Sequence, residues 1–311
     1  MALVTISDIR AAAALIAPVV VRTPLLRFDD RLSLKPENLQ PVGAFKIRGA
    51  YHALARLPEQ QRARGVVAYS SGNHAQAVAF AAREFGVPAT IVVPENAPEV
   101  KIAATRAWGA EVVLVPMAQR ESRAHELAEE RGTTLIPPFD HPDVIAGQGT
   151  VGLEVVEDAP AVDVVLVPVS GGGLISGVAA AVKALRPAAR VVGVEPAFAA
   201  DAAESLRAGE LVRWPAADRE RTSADGLRAE PSDLTFAHIQ TFVDDIVTVT
   251  EEQIADAVRR LAGRARLVVE PSGAVAVAAY LADAERWPQR TVAVVSGGNI
   301  DPAAYLRLLS A

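Results

Sequence analysis

At 311 residues the chain exceeds the size at which one hydrophobic core stops growing, so two domains are expected, and repeat arrays or small stapled folds are excluded. Half of it is hydrophobic but only 5% is aromatic, a mass of Ala, Val, Leu and Ile that suits buried parallel strands covered by helices. A formal charge of −6 with scattered basic residues excludes a nucleic-acid footprint, and the absence of cysteine excludes disulfides, thiolate nucleophiles and cysteine zinc sites.

The first uncharged run, Ala11 to Val21, is too short to span a bilayer and follows Asp8 rather than a basic start. Alternation then sets in. The pattern predicts a strand at Val66 to Tyr69, a helix at Ala75 to Phe85 stopped by Gly86, a strand at Ala89 to Val93 and a helix at Glu99 to Trp108. Glu111 to Val115, Glu121 to Arg131 and Thr133 to Ile136 continue the cycle. A second series expects a helix at Val144 to Glu157, a strand at Val162 to Val169, a helix at Leu174 to Leu185, a strand at Arg190 to Val194 and a helix around Ala202. The uncharged run Val164 to Val182 is long enough to span a membrane, but Pro168 and Gly171-Gly172-Gly173 would break a helix there, so strand, turn and helix fit it better. With no spanning or export segment, a cytoplasmic protein is expected. Asp201 to Asp245 reads as loops and short helices, Thr250 to Leu261 as a helix with Glu251 and Glu252 in its first turn, and Thr291 to Val295 as a buried strand. Strands separated by helices in this way indicate open parallel sheets, whose strand ends bind ligands.

Of the 31 basic residues only four are lysines, Lys35, Lys46, Lys101 and Lys183, so any chemistry needing a nucleophilic amine must use one of these. Lys46 stands in GAFKIRGA, where a glycine turn precedes a helix start and Phe45 flanks the amine. A helix N-terminus disfavours the ammonium charge and would lower its pKa. Three polar turns fall at strand ends: Ser70-Ser71-Gly72-Asn73-His74, Ser170-Gly171-Gly172-Gly173 and Ser296-Gly297-Gly298-Asn299. The second matches neither the dinucleotide fingerprint nor the Walker loop; its amides at a helix start suit a phosphate, or it is simply a tight turn. Together the turns and the lysine describe a pocket for a small phosphorylated molecule.

The segments GAFKIRGA, SSGNHAQA, VIAGQGT, PVSGGGLISG, VEPAFAAD, ADGL, EPSGAVA and SGGN, in that order, resemble the serine/threonine dehydratase and serine racemase family across nearly the whole chain. The resemblance implies a pyridoxal 5'-phosphate enzyme of the tryptophan-synthase β fold: an α/β architecture of two open twisted sheets with helices on both faces. A small substrate-gating domain, residues 65–142, would be inserted in a large cofactor domain of residues 1–64 and 143–311, and the protein would be a homodimer. Lys46 would form the Schiff base with the cofactor and act as base at the substrate α-carbon, and Phe45 would back the ring. Asn73 would meet the ring hydroxyl, Ser170, Gly171, Gly172, Gly173 and Leu174 the phosphate, and Ser296 the pyridine nitrogen. Ser70, Ser71, His74 and Arg123 match positions that hold substrate, with Ser71 as the second acid that racemisation needs. A divalent cation, Mg2+, Mn2+ or Ca2+, would be held by Glu195, the Ala199 carbonyl and Asp201.

The implied reaction is dehydration and deamination of L-threonine or L-serine to a 2-oxo acid and ammonia. A neutral Ser296 keeps the ring a weak electron sink, which suits concerted elimination over chemistry through a full carbanion. Ser71 leaves a serine racemase or a threo-3-hydroxyaspartate dehydratase as the alternative. Ala229 stands where the animal racemase has a substrate-binding serine, and Phe139 replaces a family asparagine. With the chain ending at Ala311, a C-terminal regulatory domain and feedback inhibition by isoleucine are not expected.

Overall fold

A computed structural model describes residues 2–310. Among them, ten strands fall into two sheets: β1 (Leu26–Arg27), β2 (Leu32–Pro36), β3 (Val66–Tyr69), β4 (Ala89–Pro94), β5 (Glu111–Val115), β6 (Thr134–Leu135), β7 (Val164–Pro168), β8 (Arg190–Pro196), β9 (Asp245–Val249) and β10 (Thr291–Val295). One sheet runs β5-β4-β3-β6 and is wholly parallel. The other runs β1-β2-β10-β7-β8-β9 and is parallel apart from the β1/β2 pair.

Strand β7, Val-Val-Leu-Val-Pro, is buried along its length because helices cover both faces. Val165 and Val167 pack with Ile175 and Val178 of the helix Gly173–Leu185, while Val164 and Leu166 pack with Val275 and Val277 of the helix Pro271–Ala282. The alternation is the two-residue period of a strand set between two layers. Glycines of the GQGT run let helices touch: a Cβ on Gly147 would lie 2.5 Å from the Arg48 carbonyl oxygen.

The polar stretch Asp201 to Asp245 holds more regular structure than its composition suggests. Ser232 caps the helix Asp233–Phe242 with a reciprocal Thr235 contact, and Pro231 simply stands ahead of the cap. Its buried Leu234, Phe236 and Ile239 supply the helical stripe that polar neighbours mask in the sequence. Helix Pro271–Ala282 lies outside the sequence expectations for the opposite reason: it is apolar all round, so it has no stripe. Among the described residues, no helix is long and apolar enough to cross a membrane.

A buried ion network ties the two sheets' supporting helices. Arg48 donates to Glu37 through Nε and Nη2 at 2.7 and 2.8 Å, and to Glu154 through Nη1 and Nη2 at 2.7 and 2.9 Å. Lys35 Nζ donates to Glu154 at 2.6 Å, and Thr23 to Glu37 at 2.7 Å. Two cations and two carboxylates neutralise one another with their polar atoms satisfied, which is what allows them to be buried at all.

Candidate active site

The turns that follow β3, β7 and β10 lie at strand carboxyl ends, and Lys46 is brought to them by backbone pairing. Phe45 N donates to the Ser296 carbonyl at 3.1 Å and Ala44 bridges Gly297, so the helix Lys46–Arg56 starts against the end of β10. Lys46 as a residue is partly exposed, but its amine end is enclosed, and Nζ donates to the Pro138 carbonyl at 2.6 Å. Burial lowers its pKa to about 8. Desolvation is the cause of this shift, and the helix start places the residue. The Phe45 ring centre lies 5.1 Å from Nζ.

The other lysines are each held by a carboxylate: Lys35 by Glu154, Lys183 by Asp244 at 2.7 Å and Lys101 by Asp225. Among the described residues, Lys46 is the lysine with no such partner.

The segment Ile136 to Phe139 joins the amine to the glycine turn. Pro138 takes Lys46, and the Phe139 ring lies where a Cβ on Gly171 would be, 2.3 Å from Cδ1. Gly172 adopts φ +86, and a side chain there would also strike Thr235. No residue but glycine suits these positions, so the turn presents bare backbone at the head of the helix Gly173–Leu185, as a bound anion requires. Ser170 fixes the turn from outside: Oγ accepts from Ala229 N at 3.0 Å and donates to Ala229 O at 3.2 Å. Leu174 is buried in the first turn of that helix.

His74 Nε2 lies 2.9 Å from the Ile136 carbonyl and therefore carries the proton. Burial, and then the charge of Lys46, push its pKa down to about 3, so the ring is neutral and its Nδ1 is an acceptor. Ser70 Oγ accepts from Gly72 N at 3.1 Å, and Ser71 is half-buried in the same turn. Ser296 is buried and donates to the Ser272 carbonyl at 3.3 Å. Asn73 Nδ2 donates to Glu270 at 2.6 Å. Glu270, which the sequence reading did not single out, is buried, and burial followed by the charge of Asp225 pushes its pKa up to about 7. Its signal was a lone acid heading an otherwise apolar helix.

Arg123 is held by Glu126 at 2.9 Å and Glu130 at 2.8 Å on its own helix. A substrate carboxylate would have to displace both. Glu195 and Asp201 come together elsewhere, at the start of the helix Asp201–Ala208. Glu195 accepts from Ala202 N and Ala203 N at 3.2 and 2.7 Å, and Asp201 Oδ2 is buried with no partner. Burial raises both pKa values, Asp201 to about 6, and Glu195 is raised further by Asp201. Among the described residues, no group of three or more His, Cys, Asp or Glu side chains gathers to hold a metal.

An enclosed amine between a glycine cradle and polar strand-end turns agrees with what sequence comparison finds. The description "Pyridoxal-phosphate dependent enzyme" matches residues 16–298. The chain belongs to this family. Within the pyridoxal-phosphate dependent enzymes it is 46% identical to L-threonine ammonia-lyase of Thermotoga maritima, over 99% of this chain and 79% of that one. It is 42% identical to L-threo-3-hydroxyaspartate ammonia-lyase of Saccharomyces cerevisiae, over 98% and 96% of the two chains. The structure of maize serine racemase superposes with a TM-score of 0.94 at 40% identity, over 99% and 98%. The two-sheet α/β fold expected from the sequence is the fold of this family.

Proposed function

We propose that the chain is a pyridoxal-phosphate-dependent ammonia-lyase that converts L-threonine or L-serine to the 2-oxo acid and ammonia. The observation that carries this reading is the Lys46 amine: enclosed, lowered to about 8 and free of any carboxylate. The names of the relatives support the substrate class, a small β-hydroxy amino acid.

The glycine turn Ser170 to Leu174 would hold the cofactor phosphate, Phe45 would back the ring, Asn73 would meet the ring hydroxyl and Ser296 the ring nitrogen. Pyridoxal phosphate, when bound, supplies the electron sink that labilises bonds at the substrate α-carbon. Lys46 Nζ, whose lowered pKa makes the neutral form accessible near pH 7–8, takes the α-proton. Neutral His74 offers Nδ1 as an acceptor, and Ser70 and Ser71 offer hydroxyls to the substrate. The Phe45 ring, centred 5.1 Å from Nζ, helps exclude water around the amine. Loss of the α-proton and the β-hydroxyl leaves an enamine that, once released, takes up water and gives oxo acid and ammonia. In this reading residues 65–142 form the substrate-gating domain, supported by β3 to β6 all falling inside that span. A homodimer belongs to the same reading.

Incubation with L-threonine, L-serine and L-threo-3-hydroxyaspartate, read for oxo acid and for D-isomer, tests the reading; no oxo acid from any of them would refute it. Ser71, half-buried in the β3 turn, supports the second reading, racemisation alongside elimination. Ser71→Ala is then expected to lower D-serine formation by roughly 10²-fold or more while sparing dehydration. Equal loss of both activities would remove that role.

The proposed cation site rests on the unpartnered Asp201 Oδ2 beside the buried Glu195. Two carboxylates and the Ala199 carbonyl are hard oxygen donors that suit Mg2+, Mn2+ or Ca2+. EDTA is expected to lower the thermal midpoint, and Mg2+ or Ca2+ to restore it. A midpoint unmoved by either would exclude the site.

A further inference from the structure

Asn73, Glu270 and Asn299 form one hydrogen-bond chain whose direction is forced from its far end. The Val42 backbone carbonyl can only accept, so the Asn299 atom 2.8 Å from it is the amide nitrogen. The same nitrogen lies 2.7 Å from Asn73, whose facing atom is therefore the carbonyl Oδ1. Asn73 Nδ2 is left to donate to Glu270 Oε1 at 2.6 Å. Glu270 accepts in either protonation state, so the order of the chain does not depend on pH.

The hydrogens can be counted. Both on Asn299 Nδ2 are taken, by Val42 and by Asn73; of the two on Asn73 Nδ2, Glu270 takes one, and one remains. Backbone shape protects the arrangement. Gly43 adopts φ +72, and a Cβ on it would lie 2.5 Å from Asn299 Oδ1. A Cβ on Gly297 would lie 2.4 Å from Glu270 Oε1 and 3.0 Å from Asn73 Nδ2. Asn73 belongs to the β3 side of the cleft, whereas Glu270 and Asn299 follow elements of the six-stranded sheet.

We propose that Asn299 and Glu270 are positioning residues that lock the Asn73 amide in one orientation, so that its remaining N–H, and not its carbonyl, faces the hydroxyl-bearing edge of the pyridoxal ring. This rests on Asn73 belonging to the cofactor site. Neither residue needs to touch the cofactor. A donor at that edge stabilises the ring oxygen as an anion, whereas a carbonyl would favour its protonated form, so the orientation is readable in the bound cofactor's absorption.

Asn299→Asp keeps the shape and removes the donor. Asn73 then turns its amide nitrogen toward the new carboxylate and its carbonyl toward the ring and toward Glu270, which has to carry a proton and donate to it. Pyridoxal phosphate is expected to bind roughly tenfold more weakly in equilibrium dialysis, with the absorption of the bound cofactor displaced from the wild-type position. Glu270→Gln, whose amide oxygen still accepts, is expected to keep wild-type affinity and absorption. Asn73→Ala is the control: if it changes both readouts and Asn299→Asp changes neither, the lock is refuted while the cofactor site stands. If Asn73→Ala also changes nothing, the site assignment falls, and the lock with it. Should Asn299→Asp fail to fold, Asn299→Ser, which can donate, is compared with Asn299→Ala, which cannot; the proposal requires Ser to hold the cofactor more tightly, and equal affinities overturn it.

Discussion

Lys46→Ala is expected to abolish stable uptake of pyridoxal phosphate and oxo-acid formation together. Removing a positioned acid–base group alone costs about 10²–10⁴-fold in rate, and in the proposed function the same amine also anchors the cofactor, so residual turnover should sit at background. Arg, permanently charged and blunt as a nucleophile, cannot substitute, and the other lysines are held in ion pairs. The wild-type chain provides the matching pH measurement. An amine lowered by burial is neutral above its folded value, so the rate at which cofactor-free protein takes up pyridoxal phosphate should rise with pH with a midpoint near 8. A midpoint near the ordinary lysine value of about 10.4, or retained turnover in Lys46→Ala, would refute the assignment. Either result is read directly by absorption and by oxo-acid assay.

Arg48→Ala should have the largest effect on stability. It leaves Glu37 and Glu154 buried and opposed only by Lys35, and breaking a buried pair in this way costs about 3–5 kcal/mol. A large fall in the urea midpoint at unchanged slope is the expected signature. Arg48→Lys should recover part of it, since an ammonium keeps the charge but cannot donate to both carboxylates in the forked geometry. A midpoint within experimental error of wild type would show that the network is dispensable. The same arginine lies two residues beyond Lys46, so cofactor affinity should weaken alongside stability.

The parallel alternation was legible in the sequence because it is a local property: β3, β5 and β10 fall at the expected residues, and helix ends shift by one or two positions. Helix Asp233–Phe242 was hidden by the Arg228, Glu230 and Pro231 ahead of it, where a capping serine rather than composition decides the structure, and strand β9 by the acids Asp244 and Asp245 at its start. Within the site, Lys46, the glycine turn and Asn73 announce themselves as motifs. Glu270 and Asn299 stand in recognisable segments, EPSGAVA and SGGN, but their roles do not show there, since these depend on contacts to Asn73 across 197 and 226 residues of chain. The Pro138 carbonyl that holds the amine is equally invisible: any residue supplies a carbonyl, and only the fold selects this one. Arg123 shows the reverse, a motif position whose side chain is engaged by its own helix.

The pairing of Lys35, Lys101 and Lys183 has a chemical reading of its own. A free aldehyde is an indiscriminate reagent that condenses with whatever primary amine it meets. Among the lysines of this chain, Lys46 alone is unencumbered by a counter-ion. Selectivity among the lysines is achieved by subtraction: the fold pairs the other three ammonium groups with carboxylates and leaves Lys46 as the lysine open to the reagent.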